Sequence, residues 1–188
     1  NTMSKQTNDT SVQSACMTRR AFLFGGSAAV AGTVLLPGLP GLEGKALAAE
    51  VTRYPRKRIG SLKTLQLNQP GKFNYPDEAQ NSNSLLFRLG AVAGGGIGPD
   101  QNVVAFNALC THMGGLLDGP GSFSAADQAL GPCLLHQTSF DLTRHGMVIG
   151  GHATESLPQV LLELEGDDIY AVGMLGLIYG RYDNLNTG

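Results

Sequence analysis

Beyond residue 50 the apolar residues come in short runs, and no segment keeps a helical period. Such runs fall at 61–67, 85–89, 103–106, 139–142, 147–149, 160–164, 169–172 and 177–181. Turn-forming Gly, Pro, Asn and Asp separate them, which is the pattern of short strands. The clearest pair lies near the C-terminus. Val160, Leu162 and Leu164 alternate onto one face, Gly166-Asp167-Asp168 makes a turn, and the run at 169–172 returns. This predicts a β-hairpin. Residues 66–83 are polar and hold Pro70, Gly71 and Pro76, so they read as a long loop, and the glycine run at 94–98 reads as a second one. That run lacks the GxGxxG order and opens no helix, which argues against phosphate binding. The predicted fold class is all-β, built from antiparallel strands.

The first fifty residues differ in character. Thr18-Arg19-Arg20-Ala21-Phe22-Leu23 places paired arginines directly before an apolar stretch over 21–36. Turn residues follow, then Ala46-Leu47-Ala48, an A-x-A-like cleavage site. Basic start, apolar middle and small-residue end are the parts of a bacterial export signal, here of twin-arginine type. The expected organisation is a signal over 1–48 and one domain over 49–188, exported to the periplasm. The apolar stretch is shorter than the ~20 residues that span a bilayer. Membrane attachment is therefore expected only if the signal stays uncleaved. Cys16 precedes the apolar stretch, the wrong side for a lipidated cysteine, and is read as incidental.

Charge narrows the function classes. The net charge of −2 carries no basic footprint, so no nucleic-acid partner is expected. Three cysteines, an odd number, do not suit a framework of paired disulfides. Two of them, however, each precede a histidine closely. Cys110-Thr111-His112-Met113-Gly114-Gly115 follows the run at 103–106, and Gly131-Pro132-Cys133-Leu134-Leu135-His136 precedes the run at 139–142. Each segment offers one thiolate and one imidazole, at C-x-H and C-x-x-H spacing.

Two cysteines on one iron and two histidines on the other is the ligand set of a Rieske [2Fe–2S] centre. Neutral imidazoles donate less charge than thiolates. Replacing two thiolates raises the potential to roughly −150 to +300 mV. The glycines after the ligands let backbone N–H groups approach the cluster sulfurs. Other chemistries use the same residues. A Cys₂His₂ zinc site accepts these ligand types, although zinc fingers pair like with like. A Cys110–Cys133 disulfide is acceptable outside the cytoplasm but leaves both histidines idle. Ordinary loop residues are the third possibility. His145 and His152 lie outside both segments and read as surface or structural residues.

The two segments resemble the Rieske boxes C-T-H-x-G-C and C-P-C-H-G-S, matching at the four ligands, Thr111 and Gly114. The resemblance implies a cluster held by Cys110, His112, Cys133 and His136. It also implies an antiparallel, β-sandwich-like base carrying a smaller cluster-binding subdomain, here about 105–152. Two departures stand out. The cysteines that bridge the two loops in many Rieske proteins fall at Gly115 and Leu135, so no such disulfide can form. Packing by Met113, Leu116, Leu134 and Leu135 is expected to hold the loops instead. The serine and tyrosine that hydrogen-bond the cluster in cytochrome bc complexes fall at Thr138 and Phe140. Thr138 keeps a hydroxyl and Phe140 has none, which implies a potential below the cytochrome bc type.

Beyond the boxes, the leader, Cys-Thr-His-Met-Gly, and Gly151-His152-Ala153-Thr154-Glu155-Ser156-Leu157-Pro158-Gln159 leading into Gly166-Asp167-Asp168-Ile169-Tyr170 resemble the small subunit of arsenite oxidase. That family implies a molybdenum–pterin large subunit with a [3Fe–4S] cluster, where arsenite is oxidised. The small subunit would take electrons singly and pass them to a periplasmic cytochrome c or copper protein, with no substrate chemistry of its own. The alternatives are the Rieske subunit of a quinol-oxidising cytochrome bc complex, a soluble Rieske ferredoxin, and a non-redox zinc-binding module.

Overall fold

The apolar runs fold into two antiparallel sheets. The computed structural model describes residues 54–185, all within the compact unit Val51–Gly188. The export signal expected over 1–48 lies outside the described residues. Ten strands follow in chain order: β1 (Lys57–Ser61), β2 (Gly71–Asn74), β3 (Asn83–Arg88), β4 (Val103–Asn107), β5 (Phe123–Ser124), β6 (Ala129–Leu130), β7 (Ser139–Asp141), β8 (Met147–Gly150), β9 (Gln159–Glu165) and β10 (Asp168–Leu175). The larger sheet runs β1-β10-β9-β4-β3-β2, and the smaller one β5-β6-β7-β8. The only helical pieces among the described residues are two single 3₁₀ turns, Gln80–Ser82 and Leu142–Arg144. No described helix is long and apolar enough to cross a membrane.

The continuous apolar runs of β3 and β4 have a physical reason: both faces are covered. Leu85, Phe87, Val104 and Phe106 point into one core, with Leu130 and Phe140 from the smaller sheet and Leu142 from the 3₁₀ turn that follows β7. Leu86, Val103 and Ala105 point into a second core, with Val160, Ile169, Ala171 and Ile178. A strand buried on both sides loses alternation and reads as an unbroken apolar run. Cys110 and Cys133 belong to the first core, so the segments that bear them are rooted in the packing between the sheets.

The C-terminal hairpin forms as the alternation predicts. Ile169 pairs with Leu164 and Tyr170 with Glu163, around a turn with Gly166 in the left-handed region at φ 61°. Other expectations are corrected. The first strand is Lys57–Ser61; a turn follows over 62–64, and of the expected run Leu67 meets the sheet again in a single bridge to Arg88. The expected loop over 66–83 contains β2, an edge strand whose register sets Phe73 against Ser84. The expected strand at 177–181 is a turn that buries Ile178 and Arg181. Arg181 donates to both carboxylate oxygens of Asp77 at 2.9 and 3.0 Å, to Ser82 Oγ at 2.8 Å and to the Asn184 carbonyl at 2.6 Å. A guanidinium so fully partnered cannot sit in a strand ladder facing solvent.

Candidate functional site

The two Cys/His segments share one backbone design. In the first loop, Cys110 N–H donates to the Gly115 carbonyl and Gly114 N–H donates back to Cys110, both at 2.8 Å. In the second, Cys133 N–H donates to Thr138 at 2.7 Å and Gln137 N–H to Cys133 at 2.8 Å. The closing residue is left-handed in both: Gly114 at φ 69° and Gln137 at φ 59°. A Cβ on Gly114 would stand 2.5 Å from the Tyr179 ring, so glycine is required there on two counts. Each loop thus presents its cysteine at the base and its histidine toward the rim.

Burial follows that arrangement. Cys110 and Cys133 are unbridged and almost wholly buried, at 1% and 2% exposure. The Cys110 thiol has Cys133 and the Thr138 hydroxyl as neighbours. Burial pushes the Cys110 thiol pKa up, and the adjacent Cys133 adds to the rise. His112 is half-buried and His136 exposed, with ring centroids 4.5 Å apart and planes at 84°. The His112 pKa is lowered, first by burial and then by His136 and His152. A neutral imidazole is the form that binds a metal. His112 Nδ1 is buried without a hydrogen-bond partner, the only such side-chain nitrogen or oxygen among the described residues. A buried, orphaned ring nitrogen in one loop and a buried thiol in each are donors of the kinds that suit a thiophilic, imidazole-binding metal group.

The structure brings together residues that sequence reasoning kept apart. His152 was expected at the surface or in a structural role, yet its ring lies 5.7 Å from that of His112, stacked at 26°, and 6.0 Å from that of His136. The motif from Gly151 to Gln159 was the signal that could have found it, but nothing in its spacing from the cysteines points to the site. His145 is structural, as expected: its Nδ1 meets Gln159 Oε1 at 2.7 Å, and Gln159 donates to the Gly94 carbonyl.

The expected packing of the loops is partly corrected. Met113, Leu116, Leu134 and Leu135 are all substantially exposed, Leu134 at 87%. Among them Leu135 does lie over Gly115, where a Cβ would stand 3.0 Å from Leu135 Cδ1. Positions 115 and 135 are therefore neighbours, as a bridging pair would be, with leucine filling the gap. Backbone hydrogen bonds close each loop on itself. Thr138 uses its hydroxyl to accept from the N–H groups of His152 and Ala153. Phe140 is fully buried in the core that contains both cysteines.

A family model described as the Rieske [2Fe-2S] domain matches residues 61–161, and both Cys/His loops fall inside that span. The chain belongs to the Rieske [2Fe–2S] family. Two relatives extend the likeness over almost the whole sequence. Iodate reductase subunit IdrB of Denitromonas iodatirespirans is 56% identical over 90% of this chain and 88% of its own length. Iodate reductase subunit IdrB of Pseudomonas sp. (strain SCT) is 54% identical over 92% of this chain and 86% of its own. Neither is named as an arsenite oxidase subunit. Among solved structures, the soluble domain of Rieske protein II (soxF) from Sulfolobus acidocaldarius superposes with a TM-score of 0.58 at 22% identity. It covers 69% of this chain and 82% of that one, which establishes the shared fold.

The cofactor of this family is a Rieske-type [2Fe–2S] cluster, and the residues present suit it. Among the described residues no three His, Cys, Asp or Glu converge on a single-ion site. A mononuclear structural zinc needs four ligands on one ion, whereas each iron of a Rieske centre takes only two from the protein. When bound, the cluster supplies a one-electron couple.

Proposed function

We propose that Cys110 and Cys133 hold one iron and His112 and His136 the other, and that the chain is the electron-carrying subunit of an exported molybdenum oxidoreductase acting on iodate. The observation that carries the substrate is the identity of 54–56% to two iodate reductase subunits along nearly the full length of all three chains. The ligand assignment rests on the loop geometry: paired buried thiols beneath and a pair of imidazoles at the rim, one with an orphaned Nδ1.

The burial gradient sets a direction for the chemistry. The cysteines, packed among Leu117, Leu130 and Phe140, keep water from the thiolate side. The histidine side is open, with His136 exposed and flanked by exposed Leu134 and Leu135. A partner docking on that side comes within tunnelling distance of the imidazoles. In this reading the twin-arginine leader exports the protein folded, to the periplasm. A large subunit carrying molybdenum–pterin and a [3Fe–4S] cluster performs the substrate chemistry. Iodate is a multi-electron oxidant, so a one-electron carrier must cycle repeatedly for each iodate consumed. Electrons then run inward, from a periplasmic cytochrome c or copper protein through this chain to the large subunit.

Arsenite oxidation is the second reading. It is favoured by the likeness of the segment from Gly151 to Gln159 to the arsenite oxidase small subunit, and it runs the electrons outward. One experiment separates the two. The complex is purified from its host with the cluster reduced and is mixed with iodate, and an oxidised sample is mixed with arsenite. Rapid bleaching of the reduced signal by iodate, with no reduction by arsenite, is the expected result. Reduction by arsenite with inertness toward iodate would reverse the assignment.

A further inference from the structure

The missing inter-loop disulfide leaves a mechanical question: what ties the two loops to each other. The connection between β8 and β9, residues 151–158, reaches both. Toward the first loop, the Glu155 carbonyl accepts from Thr111 Oγ1 at 2.8 Å, and the His152 ring stacks on His112. Toward the second, His152 Nδ1 meets the His136 carbonyl at 3.1 Å, and the His152 N–H donates to Thr138 Oγ1 at 3.1 Å. A carbonyl only accepts, so His152 carries its proton on Nδ1. Two of the four contacts fall on the proposed ligands His112 and His136 themselves, and two on their neighbours Thr111 and Thr138. Leu157 and Pro158 anchor the end of the segment: Leu157 is buried in the core that holds both cysteines, and the Pro158 carbonyl accepts from Asn107 N–H at 2.8 Å. A Cβ on Gly151 would run into Thr138, so the chain can pass this close only as glycine.

We propose that this segment is a clasp that replaces the inter-loop disulfide, and that His152 is a positioning residue that fixes the ring orientations of His112 and His136. The inference rests on the ligand assignment above. Ring orientation matters because the imidazole planes set the electronic asymmetry of the histidine-bound iron, and hydrogen bonds one shell out tune metal sites. A disulfide would tie the loops at positions 115 and 135, beneath the rim. The clasp ties them at the rim, directly over the histidines.

The test uses the full exported chain with its cluster assembled in the native host. His152→Ala is compared with His152→Asn, which keeps a donor toward the His136 carbonyl, and with Thr111→Val, which cuts the other arm. Three properties are read: the g-values of the reduced cluster, its reduction potential, and the rate of cluster bleaching in air. The expected result for His152→Ala is changed g-values, bleaching about tenfold faster, and at least a threefold change in the oxidised-to-reduced ratio at fixed potential. Thr111→Val should speed bleaching with little change in g-values, and His152→Asn should recover most of the parent's behaviour. Parental g-values, potential and bleaching rate in His152→Ala would overturn the proposal. If His152→Ala does not accumulate, a parental bleaching rate in Thr111→Val would overturn it as well. A parent chain without a Rieske signal would overturn the ligand assignment and the clasp with it.

Discussion

At the residue scale the most informative side chain is Phe140. It is fully buried among the core residues that include Cys110 and Cys133, at the position where the cytochrome bc type carries a tyrosine. A hydrogen bond to the reduced cluster stabilises added negative charge, so its absence lowers the potential. Phe140→Tyr is predicted to raise the potential by roughly 40 mV, the equivalent of about 1 kcal/mol for one electron. A spectroelectrochemical titration checks this, and an unchanged or lowered midpoint would show that Phe140 does not face the cluster. Gly114 gives a second residue-scale prediction. Its φ of 69° and the Tyr179 ring at 2.5 Å from a hypothetical Cβ make Gly114→Ala costly. The left-handed backbone alone accounts for about 1–2 kcal/mol. The expected outcome is a holo-protein that melts at lower temperature and binds less iron per chain. Gln137 holds the matching place in the second loop at φ 59°, so Gln137→Gly should leave iron content intact.

At the scale of elements, the Arg181 network joins the C-terminal turn to the connection between β2 and β3. The Arg181 side chain is only 1% exposed and Asp77 is about one-third exposed. Asp77 also accepts from the Ala79 N–H and from the Ser82 hydroxyl. Arg181 is the main cause holding the Asp77 carboxyl down at about 2, against an ordinary 3.8. Because the folded value is the lower one, this stability is present at neutral pH and is lost as pH falls from about 4 through 2. Discounted for solvent exposure, it amounts to about 1–2 kcal/mol. Asp77→Asn should cost about 2–3 kcal/mol at neutral pH, because it leaves a buried guanidinium short of charge. It should also flatten the acid limb of the stability curve, and denaturant melts at several pH values measure both effects.

What the sequence revealed at this scale depended on how many faces a strand buries. β3 and β4 bury both, and β9 alternates cleanly, so all three were legible. β1 was misplaced because Lys57 and Arg58 look like loop residues, although they form ion pairs with Glu78 and Asp168 along a sheet edge. β2 has only Phe73 as an apolar marker, and β5 and β6 are two residues each. The four proposed ligands were conspicuous in the sequence because thiolate and imidazole sit a residue or two apart within each loop. His152 was not, because its place depends on how the connection between β8 and β9 returns over the loops.

Across the whole molecule, two sheets bury two thiols and leave the imidazole side exposed. The protein alone should show neither iodate reduction nor arsenite oxidation. Activity should appear only when it is combined with a molybdenum-bearing partner, and a steady-state assay on the separated and recombined subunits tests this. The most direct test of the central claim is the low-temperature EPR spectrum of the dithionite-reduced, anaerobic chain, recorded beside Cys133→Ser and His136→Ala. The expected result is a rhombic signal with an average g below that of an all-cysteine [2Fe–2S] cluster, absent from both variants. A spectrum typical of all-cysteine ligation, or a parental spectrum retained in either variant, would contradict it.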